Sequence, residues 1–521
     1  MTISRRKLLG LTLGATQLGL LSKFGLLARP ASAVDLSDRP TKLLTIYIPG
    51  GIHHEFVWST FYDSSIPLWM PPAAQAPGVF YDASMVENLD RSGDADADLP
   101  IRRLRRHITW NWADPSDRSM GEPNNKGYVW AAPEYRLYEN TAIIHGIDQG
   151  TAAHLSGVIA SMCGLAGGNF VLPGIPAMIA NHLIARFPDR PVPNLSIGGQ
   201  VAAPALNLPS AVNPANVASV GDLEFSLSDR RPNWTGLKAR QSTPRINFDG
   251  TMGSSSAPLT ITDAAGLRAV RALRGRSSSG TDTFLEQLHD TYAGVSRTIA
   301  RDIVDIIQQT RGVEHLPGAM PWTPNSSRFG WQINLADFYA TDPIWANEFD
   351  LTLRMLKSDL ATSVSFKFNP TFGFDSHFSN PYPGHSVHLR GAMESIGRLL
   401  VEMKLTPSPS RADRTLLDET LVYITSDFGR TFPSGGGSDH NPMHSAVLVN
   451  GMIQGNRMFG GYRDQPFGIP VGIREESGST SSRTVNARDV AATIYACFGM
   501  EPNVDYFIPG GYGVVDGIAR V

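Results

Sequence analysis

The stretch that decides the interpretation of this chain spans residues 423–450 and reads YITSDFGRTFPSGGGSDHNPMHSAVLVN. An apolar run at residues 421–424 predicts a buried strand, and a second run at 446–449 predicts another. The loop between them contains five side chains that suit a binding site: Asp427, Arg430, Asp439, His440 and His444. Ligands of α/β sheets bind beyond the carboxyl ends of the strands, so this loop is a predicted site.

Two other predicted strand ends carry the same types of residue. The apolar run at 42–49 ends in Gly50-Gly51 and is followed by His53, and the run at 363–368 leads to Asp375 and His377. Because strand ends of one sheet converge, we expect a shared set of metal ligands: Asp375, His377, Asp427, Asp439, His440, His444 and His53. Carboxylates and imidazoles without thiolates are typical of Zn, Mn, Mg or Ca sites.

A helix is predicted at residues 151–164, after a short strand at 140–145. Thr151 lies at or near its N-cap, where free N–H groups favour an anion. Thr151 or Ser156 is then a candidate nucleophile, and His154 a candidate ligand or base. The alternative is that Thr151 is an ordinary helix cap. Arg430 is a candidate for holding an anionic oxygen with two hydrogen bonds.

The rest of the mature chain alternates between strand and helix patterns. Helices are predicted at 173–187, 282–309, 347–360 and 483–497, with one more ending near residue 404, and a strand at 195–199. In the last helix, Asn486 is the predicted N-cap residue and Asp489 lies in the first turn. Residues 200–282 are rich in Ser, Pro, Asn and Arg and predict an insertion or surface excursion. This pattern predicts an α/β sheet covered by helices on both faces.

The first 33 residues carry the features of an exported protein. Residues 4–9 read SRRKLL, a twin-arginine pattern, and Ala31-Ser32-Ala33 is a small-residue cleavage site. The apolar stretch at 8–27 contains Lys23 and several Gly, so it is a poor membrane span and no stable span is expected after cleavage. We expect a periplasmic or secreted protein that is carried by the twin-arginine export machinery.

Composition excludes some classes of protein. The formal net charge of the 521-residue chain is −3, which argues against a general nucleic-acid binder and predicts no nucleic-acid partner. Only Cys163 and Cys497 occur. They either pair after export or remain buried free thiols, and the sequence leaves both possibilities open.

These motifs resemble the secreted bacterial family labelled domain of unknown function 1501 and, more loosely, the related family labelled 1552. The family's G-W-D-T-H, S-E-F-G-R-T and D-H-x elements are matched at residues 373–377, 426–431 and 439–441. Both families are similar to the alkaline phosphatase and sulfatase superfamily. That resemblance implies one α/β domain over residues 34–521, with a mixed, mostly parallel sheet and a loop-rich insertion at about 200–282. It also implies that Asp427 matches a metal-ligating Asp.

Two positions depart from the pattern that the resemblance provides. Phe428 stands where the superfamily element has a ligating His, and His53 stands where the family has an Asp. The resemblance implies the first hypothesis for function, a secreted metal-dependent hydrolase of phosphate or sulfate esters that acts on an anionic small molecule or glycan. The two departures favour the alternative, a catalytically degenerate binding or surface protein on the same fold. A third hypothesis is an oxidoreductase that uses the same oxygen and nitrogen ligands.

Overall fold

A computed structural model describes part of the chain in detail. The described residues are 38–52, 135–165, 173–198, 208, 212, 214–217, 245–246, 252–253, 305–315, 344–368, 375, 377, 381–430, 439–460, 470–500 and 510–519, with gaps of one or two residues within 173–198 and 439–460. The proposed signal segment at 1–33, His53 and most of the predicted helix at 282–309 lie outside these residues.

The described strands, in chain order, are β1 (Lys42–Ile48), β2 (Thr141–Asp148), β3 (Val192–Ile197), β4 (Ala215–Val217), β5 (Arg245–Ile246), β6 (Met252–Gly253), β7 (Ala361–Lys367), β8 (Thr420–Ser426), β9 (Gly429–Arg430), β10 (His440–Asn441), β11 (Met443–Val449), β12 (Arg457–Gly460), β13 (Val471–Glu475), β14 (Thr480–Arg483) and β15 (Gly513–Val515). The described α-helices are α1 (His154–Cys163), α2 (Ile175–Leu183), α3 (Ile344–Lys357), α4 (Pro381–Leu405), α5 (Leu416–Glu419) and α6 (Ala487–Cys497), and a 3₁₀ helix spans Leu137–Asn140. Residues 305–309 are also helical.

Eight of the described strands form the main sheet, in the order β12-β2-β11-β8-β1-β7-β3-β4. β1 pairs in parallel with β7 on one side and with β8 on the other. Within this sheet β11 runs antiparallel to both of its neighbours, β8 and β2. The structure therefore confirms a mixed α/β architecture with a mostly parallel sheet.

Alternating residues of β1 face two different cores. Leu44, Ile46 and Ile48 pack in one apolar cluster with residues of α3 and α4. Leu43 belongs to a second cluster, on the opposite face, with residues of α2 and α6, and Tyr47 packs with Met162 of α1. Side chains of a strand alternate between faces, so β1, in which every residue is buried, is covered on both sides.

Several local predictions are confirmed and some boundaries move. Asn486 caps α6 in a reciprocal arrangement with Asp489, as the sequence predicts. The prediction that a helix starts at Thr151 is wrong, because α1 begins at His154 with Ala153 as its N-cap residue. The Thr151 hydroxyl instead accepts a hydrogen bond from the Ala153 amide at 3.2 Å. Such a local side chain–backbone bond competes with helix formation.

Part of the predicted insertion at 200–282 belongs to the main sheet. Residues 215–217 form its edge strand β4. Cys163 and Cys497 are both buried free thiols. None of the helices in the described part of the chain combines the length and apolar character that a membrane span requires.

A buried ionic cluster lies at the amino end of β1. The Glu419 carboxylate accepts hydrogen bonds from Lys42 at 2.9 Å and from Arg190 at 3.0 Å. Asp359 also contacts Lys42 and Arg190, at 2.6 and 2.9 Å. Burial by itself would raise the pKa of Glu419, but the charge of Lys42 and hydroxyl donors from Ser410 and Ser408 outweigh it and lower the pKa to about 2.

We expect Glu419→Gln to destabilise the protein by about 3–5 kcal/mol at neutral pH, because it leaves two buried cations short of a counter-charge. The folded pKa of about 2 lies below the ordinary value of 4.5, so this contribution is present above about pH 4.5. It is lost as the pH falls towards 2, and the variant should show a flatter stability profile over that interval. Urea unfolding at a series of pH values measures this. Glu314→Gln, at a carboxylate that is 47% exposed, is the control and should change little.

Candidate metal centre

The carboxyl ends of β1, β7 and β8 meet at one edge of the sheet. In the pairing register, Ile48 of β1 lies opposite Ser426 of β8, and Tyr47 lies opposite Lys367 of β7. The segments that follow these strands therefore emerge side by side. β9 and β10 pair with each other as a short antiparallel ribbon, in which His440 lies opposite Arg430. This ribbon brings the two ends of the loop after β8 to the same place.

Four side chains converge at this edge, and their ligand atoms all lie within 4.8 Å of one another: His154, Asp375, His377 and His440. The Nε2 atoms of His377 and His440 are 2.6 Å apart. The Asp375 carboxylate lies 3.4 Å from His154 Nε2 and 3.5 Å from His377 Nε2. Three imidazoles and one carboxylate thus form a compact group of nitrogen and oxygen donors.

His154 is oriented by a buried carboxylate. It is the first residue of α1, and its Nδ1 lies 2.5 Å from Oδ2 of Asp427. This hydrogen bond is the main reason that the pKa of His154 is raised. Because Nδ1 is engaged by Asp427, the other ring nitrogen, Nε2, is directed towards Asp375.

His440 is oriented by a backbone carbonyl. Its Nδ1 lies 2.5 Å from the carbonyl oxygen of Ala152. A carbonyl oxygen only accepts, so Nδ1 carries the proton and donates it. Burial lowers the pKa of His440 and favours the neutral ring. In that neutral tautomer, Nε2 presents its lone pair to the centre of the group.

Asp375 is held by Arg430. The Arg430 Nη2 donates to Asp375 Oδ1 at 2.7 Å. Partial burial opposes ionisation of Asp375, yet the hydrogen bond and charge of Arg430 outweigh it, so that the pKa of this carboxyl is lowered. The carboxylate is 43% exposed and stays accessible from outside.

Phe428 forms one wall of the group. Its ring lies 4.0 Å from that of His440 and 4.7 Å from that of His154, measured between centroids. The side chain is fully buried. An apolar ring without a ligand atom therefore packs against two of the four side chains.

The remaining residues predicted from the sequence lie around this group. Asp427 is buried behind His154, and Arg430 is buried behind Asp375. Asp439 is 82% exposed, and its Oδ1 lies 3.7 Å from His377 Nδ1. His444 is buried in β11, where its Nε2 lies 3.4 Å from the Thr425 hydroxyl, and burial lowers its pKa to about 3. Thr151 is half-buried, in the segment whose Ala152 carbonyl anchors His440.

Sequence reasoning did not identify the hydrogen bonds that support the group. Gly50 donates its amide to Asp427 Oδ2 at 3.3 Å, and Ser426 donates its hydroxyl to Asp427 Oδ1 at 2.8 Å. The available signal was the Gly-Gly pair after β1. Gly51 has a φ of +89°, and a Cβ there would lie 2.7 Å from the Phe428 ring. Only glycine fits such a left-handed and crowded position.

A family model described as Protein of unknown function (DUF1501) matches residues 130–513, which is well over half of the chain. No curated protein matches the chain.

We expect Gly157→Ala to weaken the protein, although Gly→Ala inside a helix usually stabilises by about 0.5–1 kcal/mol. A Cβ on Gly157 would lie 2.3 Å from the backbone oxygen of Asp427, so α1 would have to move away from the residue that orients His154. A net loss of about 1–3 kcal/mol is expected in chemical denaturation. The neighbouring Ser156→Ala is the control and should be neutral or slightly stabilising. A stabilised Gly157→Ala variant would show that this contact is not tight.

Proposed function

We propose that this chain, which belongs to the family described as Protein of unknown function (DUF1501), is a metal-dependent hydrolase of phosphate or sulfate esters. One divalent metal ion would be held by four side chains: His154, Asp375, His377 and His440. We further propose that the protein is exported by the twin-arginine route and acts in the periplasm or outside the cell on an anionic small molecule or glycan.

The observation that carries the proposal is the orientation of two histidines. Nδ1 of His154 faces a carboxylate, and Nδ1 of His440 faces a carbonyl, each at 2.5 Å. Metal-binding histidines commonly donate their second ring nitrogen to such oxygens, which fixes the ring and its tautomer. In addition, His440 Nε2 faces His377 Nε2 at 2.6 Å. Two lone pairs at that distance repel unless a proton or a cation lies between them.

Among Zn, Mn, Mg and Ca, the donor set favours zinc. Three imidazole nitrogens suit zinc, whereas Mn, Mg and Ca prefer oxygen ligands. Phe428 supports a centre with a single metal, because its ring packs beside His440 and His154 and offers no ligand atom there. The related superfamily element has a ligating His at this position, so the proposal departs from that superfamily here.

A bound divalent metal supplies Lewis acidity that stabilises negative charge on an ester oxygen. The chain's own residues supply orientation and a candidate nucleophile. Asp375 lies at the exposed side of the group and would mark the entrance for substrate. Thr151 remains the proposed nucleophile, because the residue that follows it anchors His440 and so ties the Thr151 segment to the metal ligands.

A second candidate function is binding of an anionic ligand without turnover. The observation that favours it is again Phe428, which removes a polar group from the wall of the site. The hydrolase requires the metal centre, whereas a binding protein does not. The two candidates differ in whether the protein turns over an ester.

We expect the natively exported protein to contain one zinc per chain. The variants His154→Ala, Asp375→Ala, His377→Ala and His440→Ala should each lower the metal content strongly, because each removes one donor. Elemental analysis by inductively coupled plasma mass spectrometry measures this. The exposed His315 lies outside the group, so His315→Ala is the matched control and should retain the metal. A metal-free native protein would overturn the hydrolase proposal, and iron or copper would favour an oxidoreductase.

With the metal bound, we expect turnover in a screen of phosphate and sulfate esters. Thr151→Ala should lower kcat by at least about 100-fold while the metal content stays unchanged, because the nucleophile is not a metal ligand. Stoichiometric metal and tight anion binding without any turnover would favour the second candidate. Full activity of Thr151→Ala would show that another group, such as water, attacks the ester.

A further inference from the structure

We propose that Asp427 and Arg430 are positioning residues for the metal centre, and that the backbone of Gly50 anchors both of them. Asp427 would hold His154, and Arg430 would hold Asp375. This assignment rests on the proposed function of the same site. It differs from the roles that the sequence indicated, which were metal ligand for Asp427 and substrate anchor for Arg430.

Asp427 has donors on both of its oxygens. Oδ2 accepts from His154 Nδ1 at 2.5 Å and from the Gly50 amide at 3.3 Å, and Oδ1 accepts from the Ser426 hydroxyl at 2.8 Å. The residue is 1% exposed. It faces the ring nitrogen of His154 that points away from the other three ligand side chains. The carboxylate is therefore placed to fix the His154 ring and not to meet the metal itself.

Arg430 is placed behind Asp375 in the same way. Its Nε donates to the Gly50 carbonyl at 2.9 Å, Nη2 makes a further bond to that carbonyl, and Nη2 donates to Asp375 Oδ1 at 2.7 Å. The guanidinium is fully buried, and the Phe428 ring lies beside it at 5.4 Å. A planar guanidinium that is fixed at two acceptors sets the direction of the carboxylate it holds.

Gly50 joins the two supports. Its amide contacts Asp427, and its carbonyl contacts Arg430. The next residue, Gly51, donates its amide to the Ser426 hydroxyl at 3.1 Å. The turn that ends β1 therefore fixes the partners of two metal ligands, His154 and Asp375, which come from distant parts of the sequence. Loss of an outer-shell partner of this kind typically lowers metal affinity about 10–100-fold.

A double-mutant cycle on metal affinity tests the assignment. Dissociation constants for Cu²⁺, which binds such sites most tightly among the divalent ions of its row, are measured by competition with a chelator. In the unaltered chain, Asp427→Asn should weaken binding about 10–100-fold. In a His154→Ala background, Asp427→Asn should change the dissociation constant less than about 3-fold, because Asp427 affects the metal only through His154. An equal loss in both backgrounds would make Asp427 a direct ligand and overturn the assignment.

The parallel cycle pairs Arg430→Lys with Asp375→Ala. Lysine keeps the charge, but it lacks the planar guanidinium that contacts Gly50 and Asp375 together. Arg430→Lys should therefore weaken metal binding about 10–100-fold in the unaltered chain. In the Asp375→Ala background it should hardly change metal binding. A loss of the same size in the Asp375→Ala background would overturn the role of Arg430. If Asp427→Asn folds poorly, Ser426→Ala replaces it in the first cycle. This variant removes one hydrogen-bond donor to Asp427 and keeps the buried carboxylate.

Two controls separate a local effect from a general one. Asp413 is 81% exposed and lies away from the metal centre, so Asp413→Asn should leave the dissociation constant unchanged. Thermal unfolding of each metal-free variant shows whether the fold is retained. Absence of metal binding in the unaltered protein would overturn the proposed function and this assignment together, whereas equal losses in both backgrounds would overturn only the positioning roles.

Discussion

The parallel pairing of β1 with a neighbour on each edge is the constraint on which the candidate site depends. The register fixes where the segments after β1, β7 and β8 leave the sheet, because Ile48 lies opposite Ser426 and Tyr47 lies opposite Lys367. The Phe368 amide donates to the Tyr47 carbonyl at 3.0 Å, which extends this pairing beyond the strand. A shift of one residue in the pairing register of β1 would move each of its side chains to the opposite face of the sheet and would separate Gly50 from Asp427.

A buried cation is paired with a carboxylate near each end of β1. At its amino end, Lys42 is matched by Glu419, and beyond its carboxyl end Arg430 is matched by Asp375. Buried ions are tolerated only where they are paired and hydrogen-bonded. The difference is exposure: Glu419 is enclosed, whereas Asp375 is open on one side. The enclosed pair supports the fold, and the open one leaves a carboxylate oxygen available for chemistry.

Much of this arrangement could be predicted from the sequence, because the signals are local. Apolar runs marked β1, β8 and β11, and the cap of α6 was marked by Asn486 and Asp489. The strand ends also predicted that Asp375, His377 and His440 would converge, and their ligand atoms do lie within 4.8 Å of one another. The direction of each side chain was not predictable, because it depends on contacts between segments that are far apart in sequence. His444 illustrates this limit: it follows His440 by four residues, yet it lies inside β11 and faces Thr425.

The ribbon formed by β9 and β10 has a consequence for how the chain around the site can vary in length. Arg430 and His440 face each other across this ribbon. The pairing therefore fixes the distance between the two ends of the segment that joins them. The entropy of closing a loop grows only slowly with its length, at about 0.6 kcal/mol for each doubling. Insertions between these anchors would therefore cost little stability and would leave the His440 ring in place. The surroundings of the site can diversify there while its chemistry stays the same.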